Sequence, residues 1–174
     1  MKRLILMRHA AAEHLSPSGD KARHLSPRGI QDAQEAGIAL AGFDIDYALV
    51  SSATRTRETF AALGLGVPVE YQDALYQDGT DTMLQRISEM FDDQVSSLLV
   101  IGHAPTIPGL TAQLLYATDA AAADQAQCRF PTSAFSAFSF EGSWSQFDPA
   151  EVDSLRIESA GDPTSDEVTL PRLM

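Results

Sequence analysis

Cysteine is nearly absent: among 174 residues only Cys128 is one. An intrachain disulfide and a cysteine-based metal cluster are excluded, and Cys128 is expected to be a small buried thiol rather than a nucleophile. Long apolar runs are missing too. The stretch Leu4-Ile5-Leu6-Met7 ends at Arg8, which is too short for a signal peptide. No segment reaches the roughly 18 apolar residues of a membrane span, so the expected location is the cytoplasm. Positive charge is scarce, with 12 Lys and Arg against 24 Asp and Glu and a formal net charge of -12. Nucleic acid and anionic membranes are bound mainly through Lys and Arg, so neither is expected as a partner. A phosphate site would have to be a local positive spot on an acidic protein. No repeat or linker-like stretch divides the chain, and its length suits one domain over residues 1–174.

What is present alternates between two periodicities. Residues 3–8 read as a buried strand, and 10–27, with Pro17, Gly19 and Pro27, as a loop. Ile30, Ala33, Ala36, Gly37 and Leu40 recur at helical spacing, with Gly42 as the stop. Asp46–Val50 is a strand, and Ser51 or Ser52 can cap a helix reaching Leu63. A short strand over 67–71, a helix over 81–93, a strand over 97–102 and a helix over 105–116 follow. Residues 118–127 suit a loose helix or a surface loop. Two further strands fall near 135–140 and 154–159, joined by a turn at Gly142. This order predicts an α/β fold, a largely parallel central sheet with helices on both faces.

Three predicted strands end in residues competent to hold phosphate. They are Arg8-His9 after the first, Ser51-Ser52-x-x-Arg55 after the second, and Gly102-His103-x-Pro105 after the 97–102 strand. Ligands of open α/β sheets bind beyond the carboxyl ends of strands, where such loops converge. Each motif alone is ordinary, since an Arg-His pair can be surface and Gly-His-x-Pro a turn. Their joint order is specific.

The set Arg8-His9, Ser51-Ser52-x-x-Arg55-Thr56-x-x-Thr59 and Gly102-His103-x-Pro105 resembles the histidine phosphatase, or phosphoglycerate-mutase-like, superfamily. Ala10, the segment Arg23-His24-Leu25-Ser26-Pro27-Arg28-Gly29, Ala74-Leu75-Tyr76 and Phe130-Pro131-Thr132-Ser133-Ala134 resemble its SixA-type phosphohistidine phosphatase branch. The likeness runs from residue 3 to about 140 and implies a phosphoglycerate-mutase-like fold. It also implies that His9 takes the phosphoryl group while Arg8, Arg55 and His103 hold its oxygens, with no cofactor and no metal. Neutral imidazole is a competent nucleophile near pH 7, and guanidinium forks match phosphoryl oxygens. Pro105 can start its helix and turn the N-terminus toward the anion. Ser51, Thr132, Ser133 and Arg28 are candidate substrate contacts. Ser51 is equally a cap, Thr132 and Ser133 equally turn residues, and Arg28 reads more readily as a solvated side chain. Arg57 falls on the far side of its helix, and His14 and His24 sit in a polar loop.

Relatives acting on phosphate esters usually place a carboxylic acid over the leaving oxygen. Asp73, Asp78 and Asp81 are available, but none stands in a clear donor motif, and Asp81 equally suits a helix cap. The expected substrate is therefore protein phosphohistidine, whose imidazole can leave as a neutral ring. Two alternatives stand beside it. One is a phosphomonoesterase for a small phosphorylated substrate or phosphoserine, with one of those Asp as acid. The other is a phosphate- or phosphoprotein-binding module without turnover, although pure binding requires no nucleophile. A mutase is disfavoured by the short chain. His9-x-x-x-Glu13-His14 misses the inverted zinc-protease spacing by one residue, and Gly64-x-Gly66 lacks both the third dinucleotide glycine and a Walker lysine.

Overall fold

Strand β1 (Lys2–Arg8) is the axis of the molecule, with Leu4, Ile5, Leu6 and Met7 fully buried. A strand covered on both faces needs such a continuous apolar run. The computed structural model describes residues 1–159, so the last fifteen positions of the expected 1–174 domain lie outside the described residues. After β1 come α1 (Pro27–Leu40), β2 (Tyr47–Ser51), α2 (Thr54–Leu63), β3 (Val69–Gln72), α3 (Ala74–Gln77) and α4 (Thr80–Ser88). Then follow β4 (Ser97–Gly102), α5 (Thr106–Tyr116), α6 (Ala120–Cys128), β5 (Ala134–Phe140) and β6 (Asp153–Ser159).

The six strands lie in the order β3-β2-β4-β1-β5-β6. The β3/β2, β2/β4 and β4/β1 pairs are parallel, and β1/β5 and β5/β6 are antiparallel. The sheet is thus mixed, which corrects the expectation of a largely parallel one. The cause is the segment at 118–127, which suits either a helix or a loop by sequence. It folds as α6, capped by Asp119, whose side chain accepts from the Ala122 N–H. With two helices between β4 and β5, the chain returns to the end of the sheet where β4 finished, and β5 must run the other way.

Alternation along the strands sends side chains to two cores. Leu4, Leu6, Leu49, Leu98, Val100 and Phe138 pack with residues of α4, α5 and α6. Ile5, Met7, Ala48, Val50, Leu99, Ile101 and Phe135 pack with Ala36, Leu40 and Leu63 of α1 and α2. Helices α1 and α2 approach closely because Gly37 has no side chain; a Cβ there would sit 2.2 Å from the Leu63 carbonyl oxygen.

Several local expectations change. Ile30 faces outward, while Ala33, Ala36, Gly37 and Leu40 are buried. Helix α1 passes into a 3-10 turn (Ala41–Phe43), and the left-handed residue is Asp44 rather than Gly42. Helix α4 stops at Ser88, short of Asp93, and its N-cap is Gly79 rather than Asp81. Cys128, at the last turn of α6, is exposed rather than buried. Among the described residues no helix is long and apolar enough to cross a membrane.

Candidate active site

The register of β1 against β4 sets Arg8 opposite Gly102, and the His9 N–H extends the ladder by donating to the Gly102 carbonyl at 3.0 Å. His9 and His103, each one residue past its strand, are thereby side by side, with ring centroids 5.3 Å apart. Arg55 enters from the first turn of α2, after β2, on the other side of β4. Arg8, Arg55 and His103 are all close enough to act electrostatically on His9.

The tandem Ser-Ser-x-x-Arg-Thr-x-x-Thr segment explains how Arg55 is presented. Neither serine caps α2 through its side chain; the N-cap is Ala53. Instead the Thr56 hydroxyl meets the carbonyls of Ser51 (2.6 Å) and Ala53 (2.8 Å), closing the strand-to-helix turn. The Thr59 hydroxyl donates to the Arg55 carbonyl at 2.7 Å and accepts from the Ala10 N–H at 3.0 Å. This ties the backbone of Arg55 to the residue after His9. Both buried serines instead bond to side chains of other segments. Ser51 Oγ lies 2.7 Å from His103 Nε2, and Ser52 donates to Asp73.

His9 is 8% exposed. Its Nδ1 lies 2.7 Å from the Ala10 carbonyl oxygen, which only accepts, so Nδ1 carries the hydrogen. The neutral ring then has its lone pair on Nε2. Burial pulls the His9 pKa down to about 3, with His103, Arg55 and Arg8 adding to the shift and the Ala10 carbonyl opposing it. Burial likewise lowers His103 to about 4, helped by Arg55 and opposed by Asp20. Both imidazoles are neutral at pH 7.

The opposite wall is the segment before β5. Arg8 Nη1 donates to the Phe130 carbonyl at 2.9 Å, and the Ser133 N–H donates to the His9 carbonyl at 3.0 Å. Ser133 is fully buried with φ of 67°, a region non-glycine residues rarely occupy. Arg8 Nε, Arg55 Nε, His103 Nδ1 and Ser133 Oγ are buried without a hydrogen-bond partner. Leaving such groups unpaired is costly, and they are the donor types that bind a tetrahedral oxyanion.

Of the candidate contacts, Ser51 and Ser133 join this group, and Thr132 adjoins it, half-buried. Arg28 does not: it is exposed and lies 3.7 Å from Asp32 on its own helix. Pro105 is the residue before α5 rather than its first, and the Ala104–Pro105 bond is cis. Arg57 lies away from the site as expected, over the Tyr71 ring and donating to the Ser52 carbonyl. His24 pairs with Glu58 at the surface. Among the described residues no cluster of three or more His, Cys, Asp or Glu could hold a metal ion.

Sequence reasoning missed Asp20, which binds Arg55 through both its carbonyl and its carboxylate. It also missed Tyr76, which donates to Asp20 and stands edge-on to His103. Asp20 lay in a loop marked only by Pro, Gly and Ser, and nothing local pairs it with Arg55. Tyr76 belongs to the Ala74-Leu75-Tyr76 segment that carries the resemblance, which by itself assigns it no role.

The histidine phosphatase superfamily (branch 1) model matches residues 4–77. An uncharacterized protein of Mycobacterium tuberculosis is 37% identical over 147 residues, covering 82% of this chain and 92% of that protein. One from Mycobacterium leprae is 33% identical over 163 residues, covering 88% and 94%. The chain belongs to the histidine phosphatase superfamily. Its structural neighbours include chains described as SixA phosphohistidine phosphatases, and also α-ribazole phosphatases and a phosphoserine phosphatase that share the fold. A structure from Nakamurella multipartitia, described as a candidate phosphohistidine phosphatase SixA, is 34% identical with a TM-score of 0.80. The match covers 92% of this chain and 97% of that one. A protein histidine phosphatase SixA complexed with tungstate shares the fold, with a TM-score of 0.73 at 22% identity over 90% and 96% of the chains.

Proposed function

We propose that this protein removes the phosphoryl group from protein phosphohistidine through a phosphohistidine intermediate on His9. The observation that supports it most is the meeting of Arg8, His9, Arg55 and His103 at adjacent strand ends, with buried donor nitrogens left unpartnered. In the first step His9 Nε2 attacks phosphorus, and the bond from phosphorus to the substrate imidazole breaks. In the second, water attacks the phosphorus on His9, releasing phosphate and the free imidazole.

The Ala10 carbonyl holds His9 in the tautomer with Nε2 free, and burial keeps it unprotonated. Arg8 and Arg55 supply permanent charge to the equatorial oxygens, where oriented donors contribute most. If the Ser51 hydroxyl donates to His103 Nε2, His103 Nδ1–H is left as a further donor to the phosphoryl group. Ser133, its hydroxyl buried and unpartnered, is the fourth. With two guanidinium groups in place, the cycle contains no step for a metal, and EDTA should leave turnover unchanged.

The leaving group supports an N–P substrate. Asp73 is engaged by Lys21 at 2.8 Å and by Ser52, and these bonds hold its carboxyl below the usual range, so it stays ionised rather than donating a proton. Asp78 and Asp81 flank a shallow surface hollow with Gly79, Thr80 and Thr82. A protonated imidazole departs as a neutral ring and needs no such acid, whereas an alkoxide does. None of the three candidate acids favours the phosphomonoesterase, and a binding module would not need the buried, tautomer-fixed His9. The test is a panel of phosphohistidine protein, phosphoserine and a sugar phosphate. Faster turnover of either ester than of phosphohistidine would reject the substrate assignment.

A further inference from the structure

One carboxylate in contact with this site has no part in the cycle above. Asp20 opens a 3-10 turn (Asp20–Ala22) inside the long loop between β1 and α1. Its carbonyl accepts from Arg55 Nη1 at 2.9 Å, and its Oδ2 accepts from Arg55 Nη2 at 3.2 Å. The Tyr76 hydroxyl donates to the same Oδ2 at 2.8 Å, and Arg23 Nε donates to Oδ1 at 3.0 Å. A single residue therefore engages one hydrogen on each terminal nitrogen of Arg55, while the buried Nε–H is left without a partner. Tyr76 carries the brace further, with its ring 5.7 Å from the His103 ring and 5.9 Å from the Arg55 guanidinium carbon.

The turn that presents Asp20 is itself built. Gly19 precedes it with φ of 97°, a conformation that side chains avoid. The Ala22 N–H donates to the Gly19 carbonyl, and Arg23 Nη1 reaches the Glu13 carbonyl at 3.0 Å. On α2, close to Arg55, Glu58 accepts from the Leu25 N–H at 2.8 Å and faces His24. Helix α2 thus holds the loop at two points.

We propose that Asp20 is the positioning residue of this phosphatase site: it sets the guanidinium plane of Arg55 and, through Tyr76, braces His103, so that both meet the phosphoryl group preorganised. The inference rests on the phosphatase reading and deepens it. A flexible arginine must otherwise lose several rotamers as substrate binds, and fixing them beforehand strengthens oxyanion stabilisation. The rival role for a carboxylate on Arg55 is competition, with Asp20 occupying the place of the anion until displaced. Anchoring by the main-chain carbonyl as well as the carboxylate, in a turn held from α2, favours support over competition.

The experiment compares wild type with Asp20→Ala and Asp20→Asn, using calorimetric binding of tungstate and steady-state hydrolysis of a phosphohistidine protein. Asp20→Ala is expected to weaken tungstate binding about tenfold, the scale of one oriented charge-assisted hydrogen bond, and to lower kcat as well as raise KM. Asp20→Asn should recover most of the loss, because its amide oxygen still accepts from Arg55 or Tyr76. Tighter tungstate binding by Asp20→Ala, or unchanged affinity and turnover, would overturn the proposal. Should Asp20→Ala fail to fold, Tyr76→Phe and Arg23→Ala remove the outer bonds to the same carboxylate. Each should weaken tungstate binding by a smaller factor, and no change in either overturns it. Wild type that binds tungstate but forms no phosphoenzyme would reject the phosphatase reading, while the affinity series still judges Asp20.

Discussion

The imidazoles of His9 and His103 lie 5.3 Å apart between ring centroids, and both are neutral because burial lowers their pKa values to about 3 and about 4. Two adjacent imidazolium ions beside Arg8 and Arg55 would repel each other. In the proposed cycle, neutrality leaves one ring free to attack and the other free to donate. The rate of phosphoenzyme formation should therefore show no acid limb at the ordinary histidine pKa. Between pH 8 and pH 5 it should stay level apart from the ionisation of the substrate, as measured by rapid-quench kinetics with a substrate of known pKa.

The same shifts make stability depend on pH, with a definite sign. In the unfolded chain both histidines titrate near 6.5, above their folded values, so the unfolded state binds more protons as pH falls below that point. Their contribution is present above about pH 6.5 and is lost on acidification toward the folded pKa values. Each histidine adds a slope approaching about 1.4 kcal/mol per pH unit. Urea unfolding between pH 6.5 and 5 should show a flatter dependence in a His9→Asn, His103→Asn double variant. An unchanged slope would mean that the two rings are not held neutral.

Two glycines separate packing from chemistry. A Cβ at Gly29 would sit 2.0 Å from the carbonyl oxygen of Ala11, two residues past His9, whereas one at Gly37 would strike the Leu63 carbonyl between α1 and α2. Both Gly29→Ala and Gly37→Ala should destabilise by about 1–3 kcal/mol through overpacking. Only Gly29→Ala should also lower kcat several-fold under conditions where both variants are fully folded. Equal kcat values in the two variants would contradict this.

The sequence carried the strand ends well, because β1, β2 and β4 are buried apolar runs and each chemical motif follows one directly. It carried the roles of Thr56, Thr59 and Asp20 poorly, because their partners are main-chain atoms or residues distant along the chain. The antiparallel return of β5 was hidden in an Ala- and Asp-rich segment whose helical propensity and polar surface point to different readings. Ile30 and Cys128 show the limit of residue type as a guide to burial, since both face solvent despite apolar side chains.

Carboxylates outside the network should be dispensable for an N–P substrate. Asp73→Asn, Asp78→Asn and Asp81→Asn should each hydrolyse a phosphohistidine protein within about threefold of wild type, far short of the 10²–10⁴-fold that general acid catalysis is typically worth. A loss of that larger size for any of them, selective for alkyl over aryl phosphates, would identify a general acid and support an ester substrate.

The proposed cycle turns on His9 carrying the phosphoryl group. The direct measurement is rapid acid-free quenching of the enzyme with ³²P-labelled substrate, followed by peptide mapping of the label in wild type and His9→Ala. An acid-labile, alkali-stable label is expected on the peptide containing His9, formed and discharged at the rate of turnover, with no label in His9→Ala. Label on another residue, or phosphate release at the wild-type rate by a folded His9→Ala variant, would contradict it.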